Sequence, residues 1–194
     1  MSIYTTEITS DKLVSDNPLH HRLLSAYLFA VKYIYGNVLE LGCGEGRGID
    51  IILKKSKSFT AIDKISELTD KLSKKYPDHT FISSSFPPFK NINDNSFDTL
   101  ISFQVIEHIK NDKLFIEEIY RILKPGGKAL ISTPNIKMTL TRNPWHVREY
   151  TSEELKELVS RNFDKIIIKG ISGNDRVKKY YKENKNSVMK FKRL

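Results

Sequence analysis

Three groups of residues in this 194-residue chain have types and spacings that chemistry can use. The densest is VLELGCGEGRG, Val38 to Gly48, in which an apolar run and an acid, Glu40, precede glycines at 42, 44, 46 and 48. Glycine permits positive φ and lets a ligand approach the main chain with no Cβ in the way, while a helix that follows presents N–H groups. Such a segment reads as a ligand-cradling turn, or more plainly as a tight structural turn. It is not a dinucleotide G-x-G-x-x-G fingerprint, because after Gly42 and Gly44 the third glycine would fall where Arg47 stands. Asp63 closes the next apolar run. At the end of the second strand of a βαβ unit an acid can accept hydrogen bonds from ribose hydroxyls; the structural alternative is a cap for a helix beginning near Ile65. Turn and acid together point to a nucleoside.

The other two groups carry histidines, whose titration near neutrality suits proton transfer. His108 sits in QVIEHI, where Gln104, Glu107 and His108 stand at i, i+3 and i+4 and would share one face of a helix. His146 sits in NPWHVREYTSEEL, and His146, Arg148, Glu149 and Tyr150 are candidates for a substrate pocket. Plainer roles exist for both: Glu107-His108 as an orienting turn, and Trp145 and Tyr150 packing a loop while Arg148 and Glu149 pair at the surface.

The elements that must position these groups follow from period and punctuation. From residue 36 onward short apolar runs alternate with stretches of helical period, the pattern of a parallel sheet covered by helices on both faces, so the fold class is α/β. A leading helix is expected from Pro18 to Tyr35, capped by Asn17 and stopped by Gly36, with Leu24, Tyr27, Leu28, Val31 and Ile34 as its buried stripe. Strands are expected at Asn37–Leu41, Phe59–Asp63, Thr80–Ser83, Phe97–Phe103, Lys128–Thr133 and Lys165–Lys169. A helix from Asn111 to Leu123 buries Phe115, Ile119 and Ile122 and ends at Pro125-Gly126-Gly127. Thr151 with Glu154 is a capping box opening another helix through Leu155, Leu158 and Val159. The long irregular connection from Pro134 to Tyr150 is of the kind that carries function.

Composition excludes several classes. With 39% hydrophobic residues the chain can bury one sizeable core. No charge-free stretch approaches the roughly 20 residues needed to cross a bilayer. The first residues, with Glu7, Asp11 and Asp16, lack the basic-then-apolar order of a secretory signal. The single Cys43 can form neither an internal disulfide nor a thiolate metal cluster; a cytoplasmic setting is expected. The net charge of +9 is concentrated in residues 176–194, which hold eight basic side chains against Glu183. Three parts are therefore expected: an N-terminal segment 1–16, a cofactor-binding domain 17–170, and a basic tail 171–194 that is solvated or frayed.

Taken in order, these segments resemble the class I S-adenosylmethionine-dependent methyltransferases over roughly residues 17–170. That family's E/D-x-G-x-G-x-G turn resembles Glu40 to Gly46, its acid after the second strand resembles Asp63, and its fourth-strand and fifth-strand patterns resemble FDTLISFQVIEHI and LKPGGKALISTPN. The resemblance implies a Rossmann-like fold with a mostly parallel central sheet, S-adenosylmethionine as cofactor and S-adenosylhomocysteine as product. It places Glu40 near the methionyl end, the main chain of Gly42, Cys43 and Gly44 against the cofactor, Asp63 on the ribose and Lys64 beside the adenine. Many relatives carry an acid after strand three; here Ser83, Ser84 and Ser85 stand there, with Ser84 as the candidate contact. Phe103 and Gln104 would line the cofactor where the sulfonium faces substrate.

The implied chemistry is a single in-line methyl displacement, which asks mainly for alignment, with a base only for an acceptor that still holds its proton. His146, His108 and Glu107 are the catalytic candidates. In small-RNA terminal 2′-O-methyltransferases and ubiquinone-pathway O-methyltransferases a similar E-x-x-E-H is associated with a divalent metal. Here Gln104 replaces the first acid and brings no charge, so no metal is expected. Segments similar to N-P-x-H-x-R-E-[YF] recur in methyltransferases of cell-surface glycan and lipopolysaccharide assembly, so the acceptor implied is a small molecule or glycan, methylated on oxygen. Two alternatives stay open: an RNA methyltransferase, suggested by the tail, and a catalytically silent scaffold that keeps the cofactor site. An uncovered sheet edge would also allow pairing with a second copy of the chain.

Overall fold

Five of the expected apolar runs become strands of one parallel sheet. The structure, a computed structural model, describes residues 17–139 and 143–191; the expected segment 1–16 lies outside them. Strands β1 (Asn37–Leu41), β2 (Ser58–Asp63), β3 (Thr80–Ser83), β4 (Phe97–Phe103) and β5 (Leu123–Ser132) lie in the order β3-β2-β1-β4-β5. Helices α1 (Asn17–Ala30), α2 (Ile49–Ile52), α3 (Ser66–Lys75), α4 (Asp112–Ile122), α5 (Ser152–Val159) and α6 (Asp175–Phe191) connect and follow them. Among the described residues no helix is long and apolar enough to cross a membrane.

The central strand explains the arrangement. Val38, Leu39 and Leu41 of β1 are buried on both faces of the sheet, as parallel strands covered by helices must be. Leu41 pairs with Ile62 of β2 on one side and Ser102 of β4 on the other. The carboxyl ends of these three strands therefore lie side by side where the strand order reverses, the place where open α/β sheets bind ligands. Two apolar clusters flank the sheet. One joins Leu39, Leu100 and Ile106 to Phe115, Ile116, Ile119 and Ile122 of α4; the other joins Val38, Ile49, Ile52 and Phe59 to Tyr27 of α1.

Local signals account for most element boundaries. The Asn111 side chain accepts the Leu114 N–H and caps α4, and the Thr151–Glu154 capping box opens α5. α1 ends at Ala30 and continues as a 3₁₀ turn through Tyr33, and it buries Ala26, Tyr27, Ala30 and Ile34 while Leu28 is 59% exposed. β5 starts at Leu123 rather than Lys128: Leu123 already pairs with Phe97, and the shift to the Thr99–Lys128 pair absorbs Pro125, Gly126 and Gly127, with Gly126 at φ +80°. The Pro-Gly-Gly segment is thus a bulge within the strand as well as a stop for the helix.

Two expectations change. Lys165–Lys169 is not a strand. Its apolar residues Ile167 and Ile168 are exposed, and Lys169 lies over the ring of Phe29 on α1, so the segment leaves the sheet instead of pairing with β5. The basic tail is solvated, as expected, but as a helix and not a frayed end: it forms α6, on which Val177 and Tyr180 are exposed.

Gly48 shows how closely α1 meets the glycine turn, since a Cβ there would fall inside the Tyr27 ring. Gly48→Ala is expected to destabilise the protein by about 1–3 kcal/mol through overpacking. Gly170→Ala, where an added Cβ meets nothing within 4 Å, is expected to leave the melting temperature unchanged; thermal unfolding of the two variants checks both.

Candidate functional site

At the carboxyl edge of β1, β2 and β4 lies a cleft of about 360 Å³ whose walls include Gly42, Cys43, Gly44, Asp63, Lys64, Phe103, Gln104 and His108. Its floor is the turn between β1 and α2. Gly42 and Gly44 take positive φ, +71° and +52°, which glycine adopts without the steric cost other residues bear. The Gly42 N–H donates to the Ile62 carbonyl at 2.7 Å, holding the turn against β2. At Gly44 an added Cβ would meet nothing within 4 Å, so the main chain there is open to a ligand.

Glu40 lies beneath this turn, 1% exposed. Its Oε1 accepts the Tyr27 hydroxyl at 2.6 Å, while Oε2 is buried and has no hydrogen-bond partner. Burial raises the Glu40 carboxyl to about 7, against the lowering effect of the Tyr27 bond and with the nearby Asp63 charge adding to the rise. An unsatisfied buried carboxylate oxygen is costly. It suits a site that receives a cation or an N–H or O–H donor.

Asp63 faces the cleft and closes a turn ahead of α3 instead of capping it, since the N-cap is Ile65 and no side chain caps that helix. Its Oδ2 accepts the Gly44 N–H at 2.9 Å and its Oδ1 the Ile65 N–H at 3.0 Å, and its backbone carbonyl takes the Ser84 N–H at 2.9 Å. Ser84 itself turns its hydroxyl to the Ser85 carbonyl; Ser85 and Phe86 line the cleft beside it. Phe103 packs edge-on against Tyr27, ring centroids 4.9 Å apart. The Cys43 thiol is buried, and burial pushes its pKa up, away from thiolate chemistry.

A second polar group stands where β4 meets the 134–150 loop. Gln104 takes φ +58°, and only Ile106–His108 forms a helical turn, of 3₁₀ type. The expected shared face of Gln104, Glu107 and His108 is therefore broken at Gln104, whose amide instead reaches Ser132. Glu107 turns inward, 1% exposed, its Oε2 accepting the Thr133 hydroxyl at 3.0 Å. Burial raises its carboxyl to about 7, opposed by its own backbone N–H and by Thr133. Its carbonyl accepts the N–H groups of Val147 and Arg148 at 2.8 and 3.2 Å, which fastens the loop to the end of β4.

That fastening brings the two histidines together, ring centroids 5.0 Å apart. His108 Nδ1 lies 3.0 Å from the Trp145 carbonyl and His146 Nδ1 lies 2.7 Å from Glu149 Oε1. Both partners are acceptors, so each Nδ1 is the donor, and in a neutral ring of this tautomer the lone pair sits on Nε2. One ring nitrogen of each histidine and one Glu107 carboxylate oxygen lie within 4.8 Å of one another. The surface pairing of Arg148 with Glu149 does not occur. Arg148 pairs with Asp112 and Glu154 and lies over the Tyr150 ring, while Glu149 faces inward to His146. Tyr150 is buried and donates to Asp112, whereas Trp145 is 44% exposed.

Sequence reasoning placed Tyr27 in the core without linking it to Glu40, and it passed over Arg47, Ser85 and Phe86 as cleft residues. The i, i+3 spacing of His146 and Glu149 was the available sign of their contact.

Comparison with known proteins covers the same region. A family model described as a methyltransferase domain matches residues 39–131. An S-adenosylmethionine-dependent methyltransferase of Mycolicibacterium smegmatis is 35% identical over 129 residues, 63% of this chain and 49% of the relative. The mitochondrial ubiquinone biosynthesis O-methyltransferase of Dictyostelium discoideum is 32% identical over 137 residues, 63% of this chain and 39% of the relative. The chain thus spans half or less of these relatives' length. Among solved structures, a complex of the Haloferax volcanii Trm112 methyltransferase activator with a methyltransferase has a fold match of TM-score 0.69 at 17% identity, covering 90% of this chain and 89% of that one.

The raised Glu40 carboxyl has a consequence for stability. A carboxyl whose folded pKa is about 7 and whose unfolded pKa is the ordinary ~4.3 binds more protons folded than unfolded, so its effect on stability worsens as pH rises from about 4 to 7 and is fully adverse above that. Glu107 acts in the same direction. Glu40→Gln, which can still accept the Tyr27 hydroxyl, is expected to melt several degrees above the wild type at pH 8 and at the same temperature at pH 4.5; thermal unfolding across that range is the check.

Proposed function

We propose that the chain is a class I, S-adenosylmethionine-dependent methyltransferase, a reading supported by the match of residues 39–131 to a methyltransferase domain and by the likeness to S-adenosylmethionine-dependent relatives, and that it transfers the methyl group to an oxygen of a small-molecule or glycan-like acceptor. The observation that carries the proposal is the orphaned Glu40 Oε2 beneath a glycine turn whose main chain is open at Gly44. A buried anion below an open backbone fits the cationic methionyl end of this cofactor. Asp63, at the wall beside it, still has carboxylate lone pairs for ribose hydroxyls after accepting two N–H groups.

The bound cofactor supplies a methyl group activated on a sulfonium. The chain's part is to align, enclose and accept a proton. In this reading Gly42, Cys43 and Gly44 present main chain to the cofactor and Lys64 flanks its adenine, while Phe103 and Tyr27, packed edge-on, give the cleft an aromatic wall. Gln104 and His108 line the cleft at the end nearest the 134–150 loop. His146, aimed by Glu149 so that Nε2 holds the lone pair, is suited to take the proton of an acceptor hydroxyl, with His108 beside it and Glu107 anchoring the loop that carries it. The O-methyltransferase relative supports oxygen as the acceptor atom. A reducing, cytoplasmic setting accords with the buried Cys43 thiol.

The test is transfer of labelled methyl from S-adenosylmethionine to a panel of phenolic, catecholic and sugar hydroxyl acceptors. Turnover on at least one is expected, with His146→Ala lowering kcat by about 10²–10⁴-fold and leaving the KM for S-adenosylmethionine within a few-fold. Transfer only to nitrogen or carbon acceptors, or an undiminished kcat in His146→Ala, would overturn the assignment.

A further inference from the structure

We infer that Glu107, His108 and His146 form a binding site for a divalent transition-metal ion. Two chain segments supply the set: the 3₁₀ turn after β4 brings Glu107 and His108, and the loop before α5 brings His146. Their ligand atoms, one carboxylate oxygen and two ring nitrogens, lie within 4.8 Å of one another. Donors about 2.0–2.2 Å from a shared ion stand roughly 3.3–3.6 Å apart in tetrahedral geometry, so binding an ion would draw the set in by up to about 1.5 Å, within the reach of side-chain rotation.

The surroundings prepare the ligands. A metal-binding imidazole commonly donates its other ring N–H to a carboxylate or carbonyl, which selects the tautomer and aims the ligating nitrogen. Both forms occur here: His146 Nδ1 on Glu149 at 2.7 Å, and His108 Nδ1 on the Trp145 carbonyl at 3.0 Å. Glu149 is itself held by the Thr139 hydroxyl, and Glu107 by the Thr133 hydroxyl. The Glu107 carbonyl joins the two segments through the N–H groups of Val147 and Arg148. The ligand set and its supports are thus one hydrogen-bonded unit.

Donor chemistry selects the ion. Two imidazoles and one carboxylate suit zinc, cobalt or iron(II), whereas magnesium and calcium prefer all-oxygen sites. Three protein ligands leave a coordination position open, and His108 is also a wall of the cleft. The His146 Nε2 lone pair serves one role at a time: it can accept a proton when no ion is bound, whereas with an ion bound Glu107, His108 and His146 would hold it and the ion would supply the acidification of an acceptor hydroxyl. The site does not depend on methyl transfer, and its test needs no cofactor.

That test is a cobalt(II) titration of the full chain, followed by visible absorption. One equivalent is expected to produce ligand-field bands, zinc to abolish them and a large excess of magnesium to leave them intact. His108→Ala and His146→Ala should each remove the bands, and Glu149→Gln, which alters only the orienting partner, should weaken affinity about 10–100-fold. Melting curves without metal show that each variant is folded. Absence of bands in the wild-type protein, or bands that persist in both histidine variants, would overturn the inference. Calorimetry with S-adenosylhomocysteine, run separately, reports on the cofactor site and keeps the two outcomes distinct.

Discussion

The carboxylate of Asp63 is the joint on which the cleft depends. One oxygen holds the Gly44 N–H of the turn after β1, the other the Ile65 N–H at the start of the next helix, and the residue's own carbonyl holds Ser84 after β3. Three strand ends are tied through one buried residue, two by its carboxylate and the third by its backbone carbonyl. Charge-assisted bonds of this type are stronger than neutral ones, and here they keep a glycine-rich turn, which has little intrinsic order, in the single shape that leaves its main chain exposed to the cleft.

Glu40 depends on that shape. A carboxylate in the middle of a parallel sheet, with one oxygen satisfied by Tyr27 and the other by nothing, is a cost that packing elsewhere must offset. The apolar clusters on both faces of β1 provide the offset, built from Leu39, Leu100, Ile106, Phe115 and Ile119 on one side and Val38, Ile49, Ile52 and Phe59 on the other. The strain is local and lies where a cationic ligand would relieve it, a common pattern at functional sites.

Much of this was legible in the sequence because it is local. β1, β2, β3 and β4 follow from apolar runs, α4 and α5 from their caps, and the glycine turn and Asp63 from spacing alone. What escaped was tertiary. Lys165–Lys169 has a strand's composition, but whether it pairs is decided by the sheet edge, and it runs past Phe29 instead. Leu123 joins β5 because Phe97 lies opposite, although Pro125 reads as a terminator. Tyr27 meets Glu40 only once α1 folds back over β1. Glu149 turns to His146, since Arg148 is already engaged by Asp112 and Glu154.

The central claim is that the turn, Glu40 and Asp63 together hold S-adenosylmethionine. Calorimetric titration of the folded chain with S-adenosylhomocysteine tests it most directly, with Asp63→Asn alongside. One molecule should bind per chain, and the amide, unable to accept both N–H groups in the same way, should weaken binding by at least 10-fold, on the order of 1–3 kcal/mol. A folded protein that takes up no S-adenosylhomocysteine, or that binds it equally well with Asn at 63, would contradict the account.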